Sequence, residues 1–592
     1  MKSKKKSTQN TTISLENSIS EREKYIMGQK LTGYPSIDRP WMKYYTQSRE
    51  HFQYMGLYQY LKEKNKDNLD NDAMMYFGNK YTFRQMFDYI DVLSQIFLDE
   101  GVKANDKVIV LALNTPDTIC SIYALNKIGA IGCMEYITQT EESLGKITRQ
   151  YSAEYAIVID VVYKKYKDVL MKNGVKKIFF SGVSDSMPAF LKLASKLKSK
   201  KLCDISCVIL NKRIKKTQKS SWSYDWKGSE TAIILSTSGT TGVPKRAELS
   251  CNAINSLAYQ GQYVDFDFRP GKRFLTPAPP FLAFGISLTV HLPLCNGVCL
   301  ILSVKPDPDF VAEQFIKYKP NMFICGSVFM DRIIANKKVQ KMDLSFVTAV
   351  ELGGEAVSTD YIKELNQFFK EHNSNSKAFT GYGMTELAGC STTESISVIR
   401  SGSVGIPLCD VNFKIVDVEG IELPYDCEGE VCINSPCMMN GYYLNKKATD
   451  EIIEMDQSGT RWIHTGDMGK IDKDGFVYIV GRIKRLAVTI DPVENLQVKL
   501  FPDYIEQILN ENENVERCAV ITVPSEERFN VPVAFVKLHK YCEEDANKLD
   551  AFLMERVEEY CKPVKYYFIS DIPFLPNGKI DYQSLDKILK ER

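Results

Sequence analysis

The chain has 592 residues, of which 44% are apolar and 25% charged, and a formal net charge of +1 at pH 7. That length exceeds what a single hydrophobic core serves, so two or more domains are expected, and the composition excludes wholesale disorder. The near-neutral balance excludes the global basic bias of a dedicated nucleic-acid binder, and 16 cysteines in so long a chain fall far below the density of a disulfide scaffold.

Residues 1–30 are polar. Lys2, Lys4, Lys5 and Lys6 are followed by Ser, Thr, Asn and Gln where a signal peptide needs an apolar core, so the segment reads as a mobile arm on a cytoplasmic protein. Further along, residues 107–113 read as a buried strand, 115–127 as a helix and 155–160 as the next strand, the βαβ pattern of a mostly parallel sheet. Between Lys192 and Lys219 stand 10 Lys or Arg residues against the one acid Asp204, which reads as a solvated surface. The stretch from Thr276 to Val304 lacks charged residues and is long enough to span a bilayer. Pro279, Pro280, His291, Pro293 and Asn296-Gly297 divide it into a loop, a short helix and a strand, so no transmembrane segment is expected. No CxxC pair occurs and the five histidines (His51, His291, His372, His464 and His539) are scattered, so no zinc or haem signature is present.

The most informative segment is Thr231-Ala-Ile-Ile-Leu-Ser-Thr-Ser-Gly-Thr-Thr-Gly-Val-Pro-Lys245, an apolar strand running into a loop of small and hydroxylic residues that ends in a lysine. Gly239 and Gly242 allow close backbone approach to an anion; Thr237, Ser238, Thr240 and Thr241 offer hydroxyls and Lys245 a positive charge. Val243-Pro244 between Gly242 and Lys245 departs from the Walker spacing. Downstream, in order, stand Leu352-Gly353-Gly354-Glu355-Ala356, Gly381-Tyr382-Gly383-Met384-Thr385-Glu386, Ser401-Gly-Ser-Val-Gly-Ile-Pro407, Trp462-Ile-His-Thr-Gly-Asp467, Gly481-Arg482-Ile483-Lys484 and Leu575-Pro576-Asn577-Gly578-Lys579-Ile580.

This series resembles the motifs of the adenylate-forming superfamily of acyl-CoA synthetases, luciferases and peptide-synthetase adenylation domains, and within it is most similar to the AMP-forming acyl-CoA synthetases. The resemblance implies an α/β fold: a large N-terminal domain of layered βαβ subdomains with a β-rich subdomain over 31–481, and a small mobile α+β lid over 482–592 hinged near Lys484. It implies ATP, Mg²⁺ and CoA, or the phosphopantetheine of a carrier protein, as cofactors. The loop Thr237, Ser238, Gly239, Thr240, Thr241, Gly242 and Lys245 would hold the β- and γ-phosphates. Gly354, Glu355, Tyr382 and Gly383 would border the adenine, Thr385 would bond the α-phosphate, Glu386 would ligate Mg²⁺, Asp467 and Arg482 would reach the ribose, and Lys579 would be the catalytic lysine. Leu282, Gly326, Gly353 and Gly381 would border the acyl pocket. Leu282 stands where relatives carry His or Asp, which disfavours an ordinary α-amino acid and favours a less polar carboxylic acid, aliphatic or aromatic; the alternative is that Leu282 is core. After the hinge, residues 485–506 contain no glycine and depart from the family's pantetheine-lining loop. The acceptor is therefore open between CoA, a separate acyl carrier protein and an amine, and a non-catalytic nucleotide-binding homologue is the remaining reading.

Overall fold

The computed structural model describes residues 31–45, 54–189, 191–192, 207–237, 245–355, 357–539, 546–574 and 580–590. The expected arm over 1–30, most of the basic stretch, the loop residues Ser238, Gly239, Thr240, Thr241 and Gly242, and the lysine Lys579 lie outside the described residues.

Local signals set the elements. Thr82 and Gln85 form a reciprocal capping box, with Gln85 N donating to Thr82 Oγ1 at 3.2 Å and Thr82 N donating to Gln85 Oε1 at 2.9 Å. They start the helix Phe83–Asp99, whose Phe83, Met86, Phe87, Ile90, Leu93 and Phe97 are spaced to bury one face. Thr115 caps the helix Pro116–Lys127, which has Pro at its first position and is buried along its whole length, as a helix sandwiched between layers must be. The strand Lys107–Leu111 pairs in parallel with Ile131–Met134 and with Tyr155–Ile159, so the βαβ reading of this region holds.

Among the described residues these elements build two large sheets. One has eight strands, running from Gly441–Tyr442 through Arg246–Ser250, Thr231–Ser236 and the parallel strands just named to Cys207–Ile209. The other has nine, and its central strands Cys299–Leu302, Arg273–Thr276, Met322–Cys325, Ala349–Leu352 and Lys377–Tyr382 are parallel. The uncharged stretch resolves into the π-helix Phe284–His291, the short helix Leu292–Cys295 and the strand Cys299–Leu302. Among the described residues no helix is long and apolar enough to cross a membrane.

A third, antiparallel sheet holds Asn412–Val416, Gly429–Asn434, Ile453–Met455, Arg461–Ile471 and Val477–Arg482. Beyond Arg482 the chain starts separate structure. Ala487–Ile490 pairs with Gln497–Leu500, and Val515–Ser525, Phe529–Leu538 and Lys565–Phe568 form a three-stranded sheet with its own apolar cores. Arg485 ties this part together: its guanidinium pairs with Asp503, lies 2.7 Å from Glu506 Oε1, donates to Tyr582 Oη at 2.8 Å and to Val520 O at 2.7 Å, and stacks 3.9 Å from the Tyr582 ring. The glycine-free region after Lys484 is thus an ordered hairpin whose turn is built on Asp491, with Asn495 in the left-handed region (φ 56°).

Candidate active site

The strands Thr231–Ser236 and Arg246–Ser250, on either side of residues 238–244 in sequence, pair antiparallel. Ser236 pairs with Arg246 as the last rung of their ladder, and beyond it Thr237 N donates to Lys245 O at 2.7 Å while Lys245 N donates to Thr237 Oγ1 at 3.2 Å. Thr237 and Lys245 are therefore joined by a two-bond clamp. Behind it the buried carboxylate of Glu135 accepts from Ser236 Oγ at 3.1 Å and Tyr151 Oη at 2.8 Å and lies 3.4 Å from Arg246 Nε, tying together the two strands that carry the loop.

Two clusters are built from other motifs, and Lys245 reaches the first of them. In the first, Glu386 is 7% exposed and its Oε1 accepts from Tyr442 Oη at 2.6 Å, while Lys245 Nζ sits 4.8 Å from the Tyr442 ring centroid. Glu386 and Thr385 lie in the short helical turn Thr385–Leu387 that follows the strand Lys377–Tyr382. In the second, Asp467 is 3% exposed; the Tyr382 hydroxyl donates to its Oδ2, and Arg482 Nε lies 2.7 Å from its Oδ1. Burial and the adjacent Asp467 carboxylate push the Tyr382 hydroxyl well above its ordinary range, so it stays a donor. Each carboxylate oxygen has two acceptor sites, so Asp467 can take further bonds from vicinal hydroxyls while keeping these partners.

The Gly353-Gly354-Glu355 turn follows the strand Ala349–Leu352. Gly354 has φ +89° and a methyl group there meets nothing within 4 Å, which leaves open space against the backbone. Glu355 accepts from Ser327 N at 2.8 Å and Ser327 Oγ at 2.7 Å, beside Gly326, and its other oxygen lies 3.1 Å from Arg517 Nη1 in the C-terminal part. In this arrangement Glu355 bridges the two parts of the chain. Gly383 packs so closely that a methyl group would stand 2.4 Å from Gly389 O. Of residues 279–285, Phe284 is the side chain that faces Gly353: a methyl group on Gly353 would lie 3.7 Å from its ring and 3.8 Å from Gly381 O. Leu282 is half-buried and packs against the main core. Lys484 is exposed, in the 3₁₀ turn Ile483–Arg485.

Tyr442 and Arg517 belong to none of the motifs and carry no local spacing that marks them. Glu351 had a signal, as the one charge in the apolar strand Ala349-Val-Glu-Leu352. It is buried, and a methyl group on Gly381 would stand 2.1 Å from its Oε1, so glycine at 381 is required by Glu351. Burial pushes the Glu351 carboxyl up to about 8, partly offset by a hydrogen bond from Thr393. With the folded value raised, the stabilising contribution of the held proton is full below the ordinary carboxylate range and is lost as pH climbs to about 8. Glu351→Gln is therefore expected to be more stable than wild type at pH 8.5 by about 1–3 kcal/mol and nearly equal to it at pH 4.5, as checked by urea unfolding at both pH values.

Residues 61–443 match the AMP-binding enzyme family and residues 504–579 match the AMP-binding enzyme C-terminal domain. The chain belongs to the AMP-binding enzyme family. It is 26% identical over 523 residues to a long-chain-fatty-acid–CoA ligase of Bacillus subtilis (strain 168), covering 86% of this chain and 90% of the relative. It is 26% identical over 493 residues to 4-coumarate–CoA ligase 1 of Solanum tuberosum, covering 81% and 84%. Among solved structures, the anthranilate CoA ligase AuaEII in complex with anthranoyl-AMP superposes with a TM-score of 0.80 at 20% identity, covering 91% of this chain and 98% of that one.

Proposed function

We propose that the chain is an AMP-forming acyl-CoA synthetase. It activates an aliphatic or aromatic carboxylic acid as its acyl adenylate and then passes the acyl group to the thiol of CoA. The observation that carries this reading is the meeting of Tyr382, Asp467 and Arg482 beside the turn that bears Glu386, although Tyr382 and Asp467 are 85 residues apart in sequence. An aromatic face, a buried carboxylate for vicinal hydroxyls and a cation are the parts an adenosine group needs.

The roles follow from the residue chemistry. Thr237, Lys245 and the loop residues 238–242 receive the β- and γ-phosphates, Thr385 bonds the α-phosphate, and Asp467 and Arg482 orient the ribose. Gly354, Glu355, Tyr382 and Gly383 frame the adenine. The hard, buried carboxylate of Glu386 beside the phosphate loop fits Mg²⁺, which when bound supplies charge neutralisation on the phosphates. In the first half-reaction a carboxylate oxygen attacks the α-phosphorus and the bond to pyrophosphate breaks, with Lys579 stabilising the charge that grows there. In the second, the thiol sulfur attacks the acyl carbon and AMP leaves. Gly326, Gly353, Gly381, Phe284 and Leu282 border the acyl group. Leu282 offers no counter-charge to an α-ammonium, which favours an acid without one.

Lys484 is the hinge in this reading, separating residues 31–481 from a lid over 482–592. Its support is the opposite anchoring of its neighbours: Arg482 is tied to Asp467 on one side, and Arg485 to Glu506 and Tyr582 on the other.

Asp467→Asn keeps the shape and one acceptor but removes the charge opposite Arg482. The KM for ATP is expected to rise about 10–100-fold with a smaller change in kcat, as read by initial rates over an ATP series. The function itself is tested by incubating the protein with Mg·ATP and a panel of carboxylic acids, with hydroxylamine as trap. Pyrophosphate release and hydroxamate formation that depend on one class of acid are expected; no acid-dependent release from any member would overturn the reading.

A further inference from the structure

On the antiparallel sheet, Glu430 and Cys432 lie two apart on the strand Gly429–Asn434 and share a face, and Cys432 is directly opposite His464 on Arg461–Ile471. The ligand atoms converge. Cys432 Sγ lies 3.4 Å from His464 Nδ1, and Glu430 Oε2 lies 2.9 Å from the same nitrogen. All three groups offer an atom within 4.8 Å of one another. We propose that Glu430, Cys432 and His464 form a zinc site, separate from the nucleotide-binding clusters and from the Mg²⁺ position at Glu386.

Tetrahedral Zn²⁺ takes thiolate at about 2.3 Å and nitrogen or carboxylate oxygen at about 2.0–2.2 Å, which sets ligand atoms roughly 3.2–3.7 Å apart. The separations around His464 Nδ1 need only small adjustment to reach this. The second ring nitrogen is also provided for: His464 Nε2 lies 3.1 Å from Glu454 Oε2 on the neighbouring strand Ile453–Met455. A carboxylate on the far nitrogen fixes the tautomer with a proton on Nε2 and leaves Nδ1 to the metal, as in carboxylate–histidine–zinc arrangements. One soft sulfur, one imidazole and one carboxylate favour zinc over the hard Mg²⁺ or Ca²⁺. The side chains of Glu430 and His464 are each 24% exposed, which gives an entry path and room for a water as fourth ligand.

Without metal the same contacts keep His464 protonated: hydrogen bonds to Cys432 and then Glu430 push the imidazolium up to about 11. Metal and proton therefore compete for Nδ1. Lys414, 3.7 Å from Glu454, is the cation facing the cluster from the adjoining strand Asn412–Val416. The site also adjoins the cluster around Asp467, because Glu430 Oε1 accepts from Gly466 N at 3.0 Å, next to Asp467 on the strand Arg461–Ile471. A metal drawing on Glu430 Oε2 would brace that part of the strand.

The test uses the full-length protein, stripped with a chelator and desalted, titrated at pH 8 with Zn²⁺ against a chromophoric competitor and separately with Co²⁺. One equivalent of tightly held Zn²⁺ and a thiolate-to-Co²⁺ charge-transfer band are expected. Cys432→Ser should abolish the band and weaken Zn²⁺ by at least about 100-fold, and Glu454→Gln should weaken it by about tenfold. Glu430→Gln serves as the second ligand variant if Cys432→Ser does not fold, and should also lose tight binding. No stoichiometric binding by wild type would overturn the proposal and leave the cluster as a protonated histidine between two carboxylates. Binding and band unchanged in Cys432→Ser or in Glu430→Gln would also overturn it, assigning the metal to other cysteines.

Discussion

Lys579→Ala is expected to lower acid-dependent pyrophosphate release by about 10²–10³-fold, while leaving thioester formation from supplied acyl-AMP and CoA within about threefold of wild type. The asymmetry follows from where charge develops. Attack of a carboxylate on the α-phosphorus brings two anionic groups together, and an ammonium on a flexible stem offsets the charge that accumulates on the phosphate and on the departing pyrophosphate. Thiol attack on the acyl carbon releases AMP from a bond already activated and calls for no such cation. Single-turnover measurement of each half-reaction on the same preparation checks both parts. Equal loss in the two would assign Lys579 a role in general nucleotide binding instead.

The second large effect belongs to Glu386. Glu386→Gln keeps an oxygen for the Tyr442 hydroxyl, which now donates to Glu386 Oε1 at 2.6 Å, and removes only the negative charge. Loss of the anionic oxygen for Mg²⁺ is expected to cost roughly 10²-fold in kcat/KM, with the Mg²⁺ concentration for half-maximal rate shifted upward. Tyr442→Phe makes the opposite change, removing the hydrogen bond and keeping the charge. At about 1.5–3 kcal/mol for a hydrogen bond to a charged group it should cost at most about 10–100-fold and leave the Mg²⁺ dependence close to that of wild type. Rates of the two variants over a Mg²⁺ series separate the readings; a larger effect from Tyr442→Phe than from Glu386→Gln would place the functional weight on the hydrogen bond.

What the sequence made legible were features contained in one turn. Gly381 to Glu386 could be read because the aromatic ring, the hydroxyl and the carboxylate are presented by a single strand end and the helical turn after it. The βαβ order around Lys107–Leu111 could be read because apolar runs, the Thr115 cap and Pro116 are local signals. What could not be read were partners brought in by pairing register. Tyr442 meets Glu386 across 56 residues and Arg517 meets Glu355 across 162, and nothing in local spacing announces either. His464 looked isolated among scattered histidines because its neighbours, Glu430 and Cys432, are on an antiparallel strand 34 and 32 residues away, and only the register places them face to face. The region after Lys484 reads as a departure because its glycines are missing. It nonetheless forms a hairpin, since Ala487 and Thr489 alternate inward while Val488 faces out, and Asp491 and Asn495 supply the turn that glycine makes elsewhere.

In the proposed reading the region after Lys484 bears on the acceptor, so the most direct measurement is the product formed when the protein, Mg·ATP, its best acid and CoA are incubated together without hydroxylamine, with acyl-CoA and AMP quantified in one sample. Equal amounts of acyl-CoA and AMP, both dependent on the acid, are the predicted result. AMP and hydroxamate formed with the trap, but no acyl-CoA formed with CoA, would contradict the account and move the acceptor to a carrier-protein thiol or an amine.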